Sequence, residues 1–299
     1  MISRRAFCAT AAATCLSSLR TGPASLAATA ASKGDGTWLT YAVNVEMTWT
    51  NLPFLERLRK VAESGFSHYE FWPWRGKDLD AIAKLNKELG LTPVQFTASP
   101  KRFDQGITDP KRLDEFVSDV KAAVDVAKKL GVKKICVVAG EETHGYSRDE
   151  QTKAVITALK AGAKVVEPEG ITIILEPLNV LVDHPKQLVV TSPEAANVIR
   201  SVGSPNVKIL FDIYHQQISE GNLSGNIRKY KDLIGYFQLA DHPGRHEPGT
   251  GEIRYSHVLK LIHDLGYTDP IGLEMSPESD PVAAFKAIRE VDAEAKAGR

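Results

Sequence analysis

The feature that most constrains this chain is a repeated alternation of two patterns. Eight short apolar runs, at residues 39–47, 68–72, 92–98, 133–140, 171–179, 207–215, 234–241 and 270–276, are separated by longer segments of helical periodicity. Pro53, Asp109-Pro110 and Ser192-Pro193 open such segments, and Gly90, Gly131, Gly203 and Gly266 close them, as expected of helix first turns and C-terminal stops. The predicted helices cover 53–63, 79–89, 110–130, 148–166, 192–202, 223–232 and 256–265, and a last one carries Val282, Phe285, Ile288 and Val291 on one face. Adjacent parallel strands need a long crossover, usually a helix. Strict alternation therefore predicts an α/β fold with a parallel sheet, and eight units close it into a (β/α)8 TIM barrel forming one domain over residues 37–295. An open doubly wound sheet would place a Gly-rich phosphate turn after the first run, where Val43-Asn44-Val45-Glu46-Met47 has none.

The first thirty residues differ in composition. Ser3-Arg4-Arg5-Ala6-Phe7, a weakly apolar stretch over 6–19 and the small-residue site Ala28-Thr29-Ala30 resemble a twin-arginine export signal. The apolar stretch is too short and too polar for a membrane span. Residues 1–30 are expected to be removed and the mature protein to be periplasmic. Cys8 and Cys15 would leave with the signal, so Cys136, in the buried-strand pattern around 133–138, remains as a core side chain. Lys plus Arg and Asp plus Glu are both 37, so nothing draws the chain electrostatically to nucleic acid or to an anionic membrane. A small molecule is the expected partner, and a homo-oligomer is compatible with these features.

Barrel active sites form at the C-terminal ends of the strands, so polar residues that interrupt an apolar run near its end are informative. The last four runs supply one each: Glu176, Asp212, Gln238 and Glu274. Three carboxylates at one barrel mouth repel one another unless a positive charge sits among them. Two Glu, one Asp and an amide oxygen make an all-oxygen donor set, which favours Mn2+ or Mg2+ and leaves Co2+ and Zn2+ open. Trp72 and Trp74 offer apolar faces for a pocket wall, and Asn44, at the end of the first run, joins them as a substrate-contact candidate. The stretch 235–255 is the densest in polar and turn residues, with Asp241, His242, Arg245, His246, Glu247 and Glu252 among Gly and Pro.

LEPLN (175–179), FDIYHQQ (211–217), QLAD (238–241), PGRHEPGTGEI (243–253) and GLE (272–274), with NLPFLERLRKVAESGF (51–66), resemble the hydroxypyruvate isomerase family within the xylose isomerase-like barrels. The resemblance implies that Glu176, Asp212, Gln238 and Glu274 bind one divalent metal ion. It implies that Glu176 and Glu274 also act as the acid–base pair, and that His215 and Arg245 contact substrate oxygens. The implied activity is aldose–ketose or keto-epimer interconversion of a small carbohydrate by proton transfer through an enediolate. A lyase or dehydratase acting on a keto-sugar and a non-catalytic sugar-binding barrel are the alternatives. A metal-free glycosidase fits less well, because Asp212 and Gln238 lie between the two glutamates.

Overall fold

The computed structural model describes residues 37–298. The expectation of an export signal over residues 1–30, with Cys8 and Cys15, lies outside the described residues. Eight strands, β1 (Tyr41–Asn44), β2 (His68–Phe71), β3 (Thr92–Ser99), β4 (Lys134–Val138), β5 (Thr172–Glu176), β6 (Val207–Asp212), β7 (Ile234–Leu239) and β8 (Ile271–Leu273), close into a barrel in sequence order. All neighbours are parallel, and β1 pairs with β8 to complete the ring. The helices α1 (Phe54–Glu63), α2 (Leu79–Leu89), α3 (Leu113–Leu130), α4 (Arg148–Val166), α5 (Ser192–Val202), α6 (Ile213–Ser219), α7 (Leu223–Tyr230), α8 (Tyr255–Asp264) and α9 (Pro281–Lys296) complete the fold. Among the described residues, no helix is long and apolar enough to cross a membrane.

The strand period of two divides the core. One apolar cluster lies between barrel and helices and includes Ile173, Leu175, Phe211 and Phe237. The other contains Ala42, Val94, Cys136, Val138, Ile174, Leu178, Leu210 and Tyr236 and fills the barrel interior. Glu176, Asp212 and Gln238 each stand two residues beyond a member of that interior cluster, so the pleat puts them on the same inner face, one layer nearer the strand ends. The barrel floor is apolar and its upper layer is polar.

The strands end earlier than the apolar runs suggest. The sixth stops at Asp212, whose side chain accepts from the Tyr214 backbone N–H and caps α6, a short helix not expected from the sequence. His215 therefore sits on the first turn of a helix and not on the strand, as the run 207–215 had implied. Thr191 and Ser147 form capping boxes with Glu194 and Glu150, which fix the starts of α5 and α4.

Candidate active site

Glu176, Asp212, His215 and Glu274 bring one ligating atom each to within 4.8 Å of one another, and all four side chains are buried. Such a cluster can hold a metal ion. Gln238 joins it through the barrel register, in which it pairs with Asp212 on the neighbouring strand. Its Nε2 donates to Glu70 Oε1 at 2.8 Å, and its Oε1 is buried without a partner. A buried amide oxygen with nothing to accept, beside three carboxylates, fits a divalent cation that prefers hard oxygen donors.

The positive charge among the acids in the described structure is Arg245. Its Nη2 lies 2.7 Å from Glu274 Oε2 and 3.4 Å from Asp212 Oδ2, and its guanidinium carbon stands 4.9 Å from the Tyr214 ring centroid. Burial works against its charge, but Glu274, Asp212 and Glu176 outweigh burial and hold its pKa above the usual arginine value. Burial, then the charges of Glu274 and Asp212, pushes Glu176 well above the carboxylate range, while Arg245 and a bond from Cys136 pull the other way. Asp212 is also raised well above its ordinary value, first by burial, with Arg245 opposing and Glu274 adding to the rise. Crowded, desolvated acids of this kind mark functional sites.

His215 is held neutral, its pKa lowered well below the ordinary value by burial and then by Arg245 and His184. Asn179 Oδ1 accepts from the backbone N–H groups of Val182 and Asp183, which turns its Nδ2 toward His215 Nδ1 at 2.6 Å. Arg245 Nη2 lies 3.2 Å from the other ring nitrogen, Nε2. A neutral ring has one acceptor nitrogen, so these contacts are not both hydrogen bonds. The shorter one, whose donor is oriented by two backbone groups, leaves the proton on Nε2, 3.5 Å from Asp212 and 3.9 Å from Glu176.

A second polar group lies inside the barrel, centred on Glu70, which is fully buried in β2. It accepts from Asn44, Gln95, Tyr236 and Gln238. Burial, then the charge of Glu274, raises its pKa to about 7 against the pull of those bonds. Glu70 is not among the candidates read from the sequence, although an acid inside the apolar run at 68–72 gives the same signal as Glu176 and Asp212. Asn44, a substrate-contact candidate from the sequence, is placed as an internal strut: its Nδ2 donates to Glu70 and to Glu274 Oε1, its Oδ1 accepts from Glu46 N–H, and it is fully buried.

The two tryptophans separate. Trp72 lines the cavity and its Nε1 donates to Glu274 Oε1 at 3.0 Å, so it is both a wall and an anchor. Trp74 packs against the outer core with the Arg75 guanidinium over its ring, and it is not among the residues lining the cavity. That cavity, about 290 Å³, is also lined by Cys136, Glu176, His215, Gln238, Arg245 and Glu274. Cys136 is buried as expected, but its Sγ also donates to Glu176 Oε2 at 3.6 Å. His184 and Phe103, 4.8 Å apart between ring centroids, add a wall that no sequence pattern singled out.

The stretch 235–255 divides between site and scaffold. Arg245 takes a left-handed backbone, φ 60°, between a bond from its own N–H to Asp241 and one from Ser276 N–H to its carbonyl. The Asp241 carboxylate accepts from the backbone N–H groups of His242, Gly249 and Ile253, and His246 Nδ1 meets the Ser276 carbonyl. Gly251 leaves out a Cβ that would fall 2.2 Å from the His242 carbonyl. Glu247 accepts from Glu278 N–H and Glu252 from Gln217, so these acids hold loops.

A family model of the xylose isomerase-like TIM barrels matches residues 58–293. The chain is similar to hydroxypyruvate isomerase of Escherichia coli (strain K12), 33% identical over 83% of this chain and 97% of that protein. It is similar to 2-oxo-tetronate isomerase of Pectobacterium atrosepticum, 31% identical over 79% of this chain and 92% of that protein. Among solved structures, AP endonuclease, family 2 from Brucella melitensis superposes with a TM-score of 0.79 at 31% identity, covering 83% of this chain and 96% of that one.

Proposed function

Because the chain belongs to the xylose isomerase-like TIM barrel family, we propose that it is a divalent-metal-dependent isomerase or epimerase of a small hydroxy-ketone or hydroxy-aldehyde, a sugar or sugar acid. The observation that carries this reading is the convergence of Glu176 and Glu274 on one buried cluster, open to a cavity. Relatives named hydroxypyruvate isomerase and 2-oxo-tetronate isomerase support it.

In this reading Glu176, Asp212, Gln238 and Glu274 hold the cation through oxygen atoms. When bound, it supplies Lewis acidity that stabilises negative charge on substrate oxygens. Glu176 and Glu274, from β5 and the end of β8, flank the substrate carbon, one removing a proton and the other returning one. Trp72 and Asn44 donate to one oxygen of Glu274, which fixes its carboxylate plane. His215 Nε2–H and the Arg245 guanidinium donate to substrate oxygens as charge develops there. The walls from Trp72, Phe103 and His184 exclude water from the reacting carbon.

The test is to incubate the purified protein with hydroxypyruvate, 2-oxo-tetronate and a panel of ketoses in D2O with Mn2+. The reading expects an isomer carrying one solvent deuterium on carbon and loss of turnover on chelation. Full activity after exhaustive chelation overturns the metal-dependent part, and release of water or an aglycone overturns isomerisation in favour of elimination. We also propose that residues 1–30 direct export to the periplasm; fractionation of cells carrying Arg4→Lys/Arg5→Lys tests this by retention of the unprocessed chain inside.

A further inference from the structure

We infer that Glu70 is the positioning residue that sets which end of the Gln238 amide faces the carboxylate cluster. The inference rests on the divalent-cation reading above and deepens it. A glutamine side chain has nearly the same shape with its oxygen and nitrogen exchanged, but only the oxygen can ligate a cation. Beside Glu176, Asp212 and Glu274 an unconstrained amide would turn its N–H groups toward the acids. Something must hold the nitrogen away.

Glu70 does so from across the barrel. Its Oε1 accepts from Gln238 Nε2 at 2.8 Å and from Asn44 Nδ2 at 3.0 Å, and its Oε2 accepts from Tyr236 O–H at 2.7 Å and Gln95 Nε2 at 3.1 Å. Four donors occupy the four acceptor directions of a carboxylate, so the group has no freedom to turn. Its path is open because Gly272 lacks a side chain: a Cβ there would stand 2.6 Å from Glu70 Oε2 and 2.8 Å from Gln238 Cγ. The result is a buried Gln238 Oε1 with no partner. Gln95 Oε1, on the other amide that donates to Glu70, is likewise buried without a partner, but of the two only Gln238 pairs in register with Asp212 of the carboxylate cluster.

The test measures Mn2+ binding to the full metal-free chain, by the loss of free-ion EPR signal and by calorimetry, with melting in chelator as the folding control. Glu70→Gln is expected to fold and to bind Mn2+ about 10- to 100-fold more weakly, the usual effect of losing a group that orients a ligand. Adding Gln238→Glu restores the bond between positions 70 and 238 with its polarity reversed and presents an oxygen whichever way the group turns. The double variant is expected to recover most of the lost affinity. Unchanged Mn2+ affinity in folded Glu70→Gln overturns the inference, and so does a folded double variant that remains weak. If Glu70→Gln does not fold, the double variant decides alone: retained binding supports the inference and lost binding overturns it. Failure of the unsubstituted chain to bind Mn2+ overturns the cation reading itself, a result separate from the others.

Discussion

Trp72 Nε1 and Glu274 Oε1 are 3.0 Å apart across the barrel mouth, joined by a hydrogen bond between residues 202 positions apart. The bond gives the aromatic wall an electrostatic task. A hydrogen bond to a charged acceptor contributes about 1.5–3 kcal/mol, so Trp72→Phe, which keeps the wall and removes the donor, should lower kcat by about 10- to 100-fold. KM should change little. An unchanged kcat would show that Asn44 and Arg245 hold Glu274 without the indole.

In the proposed reaction Glu176 transfers a proton, and it is also one of the crowded acids. Glu176→Gln should reduce turnover by about 10²- to 10⁴-fold. Where Glu176 is ionised, Glu274 and Asp212 oppose its buried charge, so at alkaline pH the metal-free Glu176→Gln protein should melt at a higher temperature than its parent. Steady-state kinetics and thermal melting check the two halves, and a variant less stable than its parent would contradict the crowding argument.

The pH dependence of the metal-free protein has a definite sign. Glu70, Glu176 and Asp212 have folded pKa values above their unfolded ones, so the folded state binds more protons and stability falls as pH rises through the folded values. His215, lowered in the folded state, acts in the opposite sense, but only below its ordinary 6.5. Above about pH 6.5 the acids therefore dominate, and the melting temperature in chelator should fall as pH rises through about 7, the folded value of Glu70. The shift of Glu70 from 4.5 to about 7 corresponds to on the order of 3 kcal/mol of the total. Saturating Mn2+ should flatten the profile; a melting temperature that rises over this window would refute the assignment.

Gly272 is required by the space that Glu70 crosses. Gly272→Ala puts a methyl group 2.6 Å from Glu70 Oε2 in a closed interior, where overpacking costs about 1–3 kcal/mol. Chemical denaturation should show that loss. Wild-type stability would mean that Glu70 reaches Gln238 by another route.

The barrel was legible because its signal is repeated: eight apolar runs and their helix stops agree with one architecture, so an error of a few residues at each end leaves the fold intact. The convergence of Glu176, Asp212, Gln238 and Glu274 on one inner face was legible for a related reason, since strand register carries side chains two residues apart to the same side. Glu70 gives the same signal, but it lies in the second run, outside the four consecutive strands whose polar residues form the carboxylate cluster. The surroundings of Asn44 and Trp74 were not legible, because strand-end position does not report whether a side chain is saturated by neighbours or turned outward. His184 and Phe103 come from loops, whose course depends on contacts such as Asn179 with Asp183 that no local pattern encodes. Arg245 was visible as a residue, but its place among the acids depends on a left-handed backbone held by Asp241 and Ser276.

The Glu70 crossing has an evolutionary side. Asn44, Gln95, Tyr236, Gln238 and Gly272 all meet one carboxylate, so these positions are not free to change one at a time. Substitutions among them should be strongly epistatic, each altering what its neighbours tolerate. The loops bearing Phe103, His184 and Arg245 share no such common acceptor. New substrate preferences on this scaffold should therefore arise in single steps at the rim, while the floor changes only through coordinated replacements.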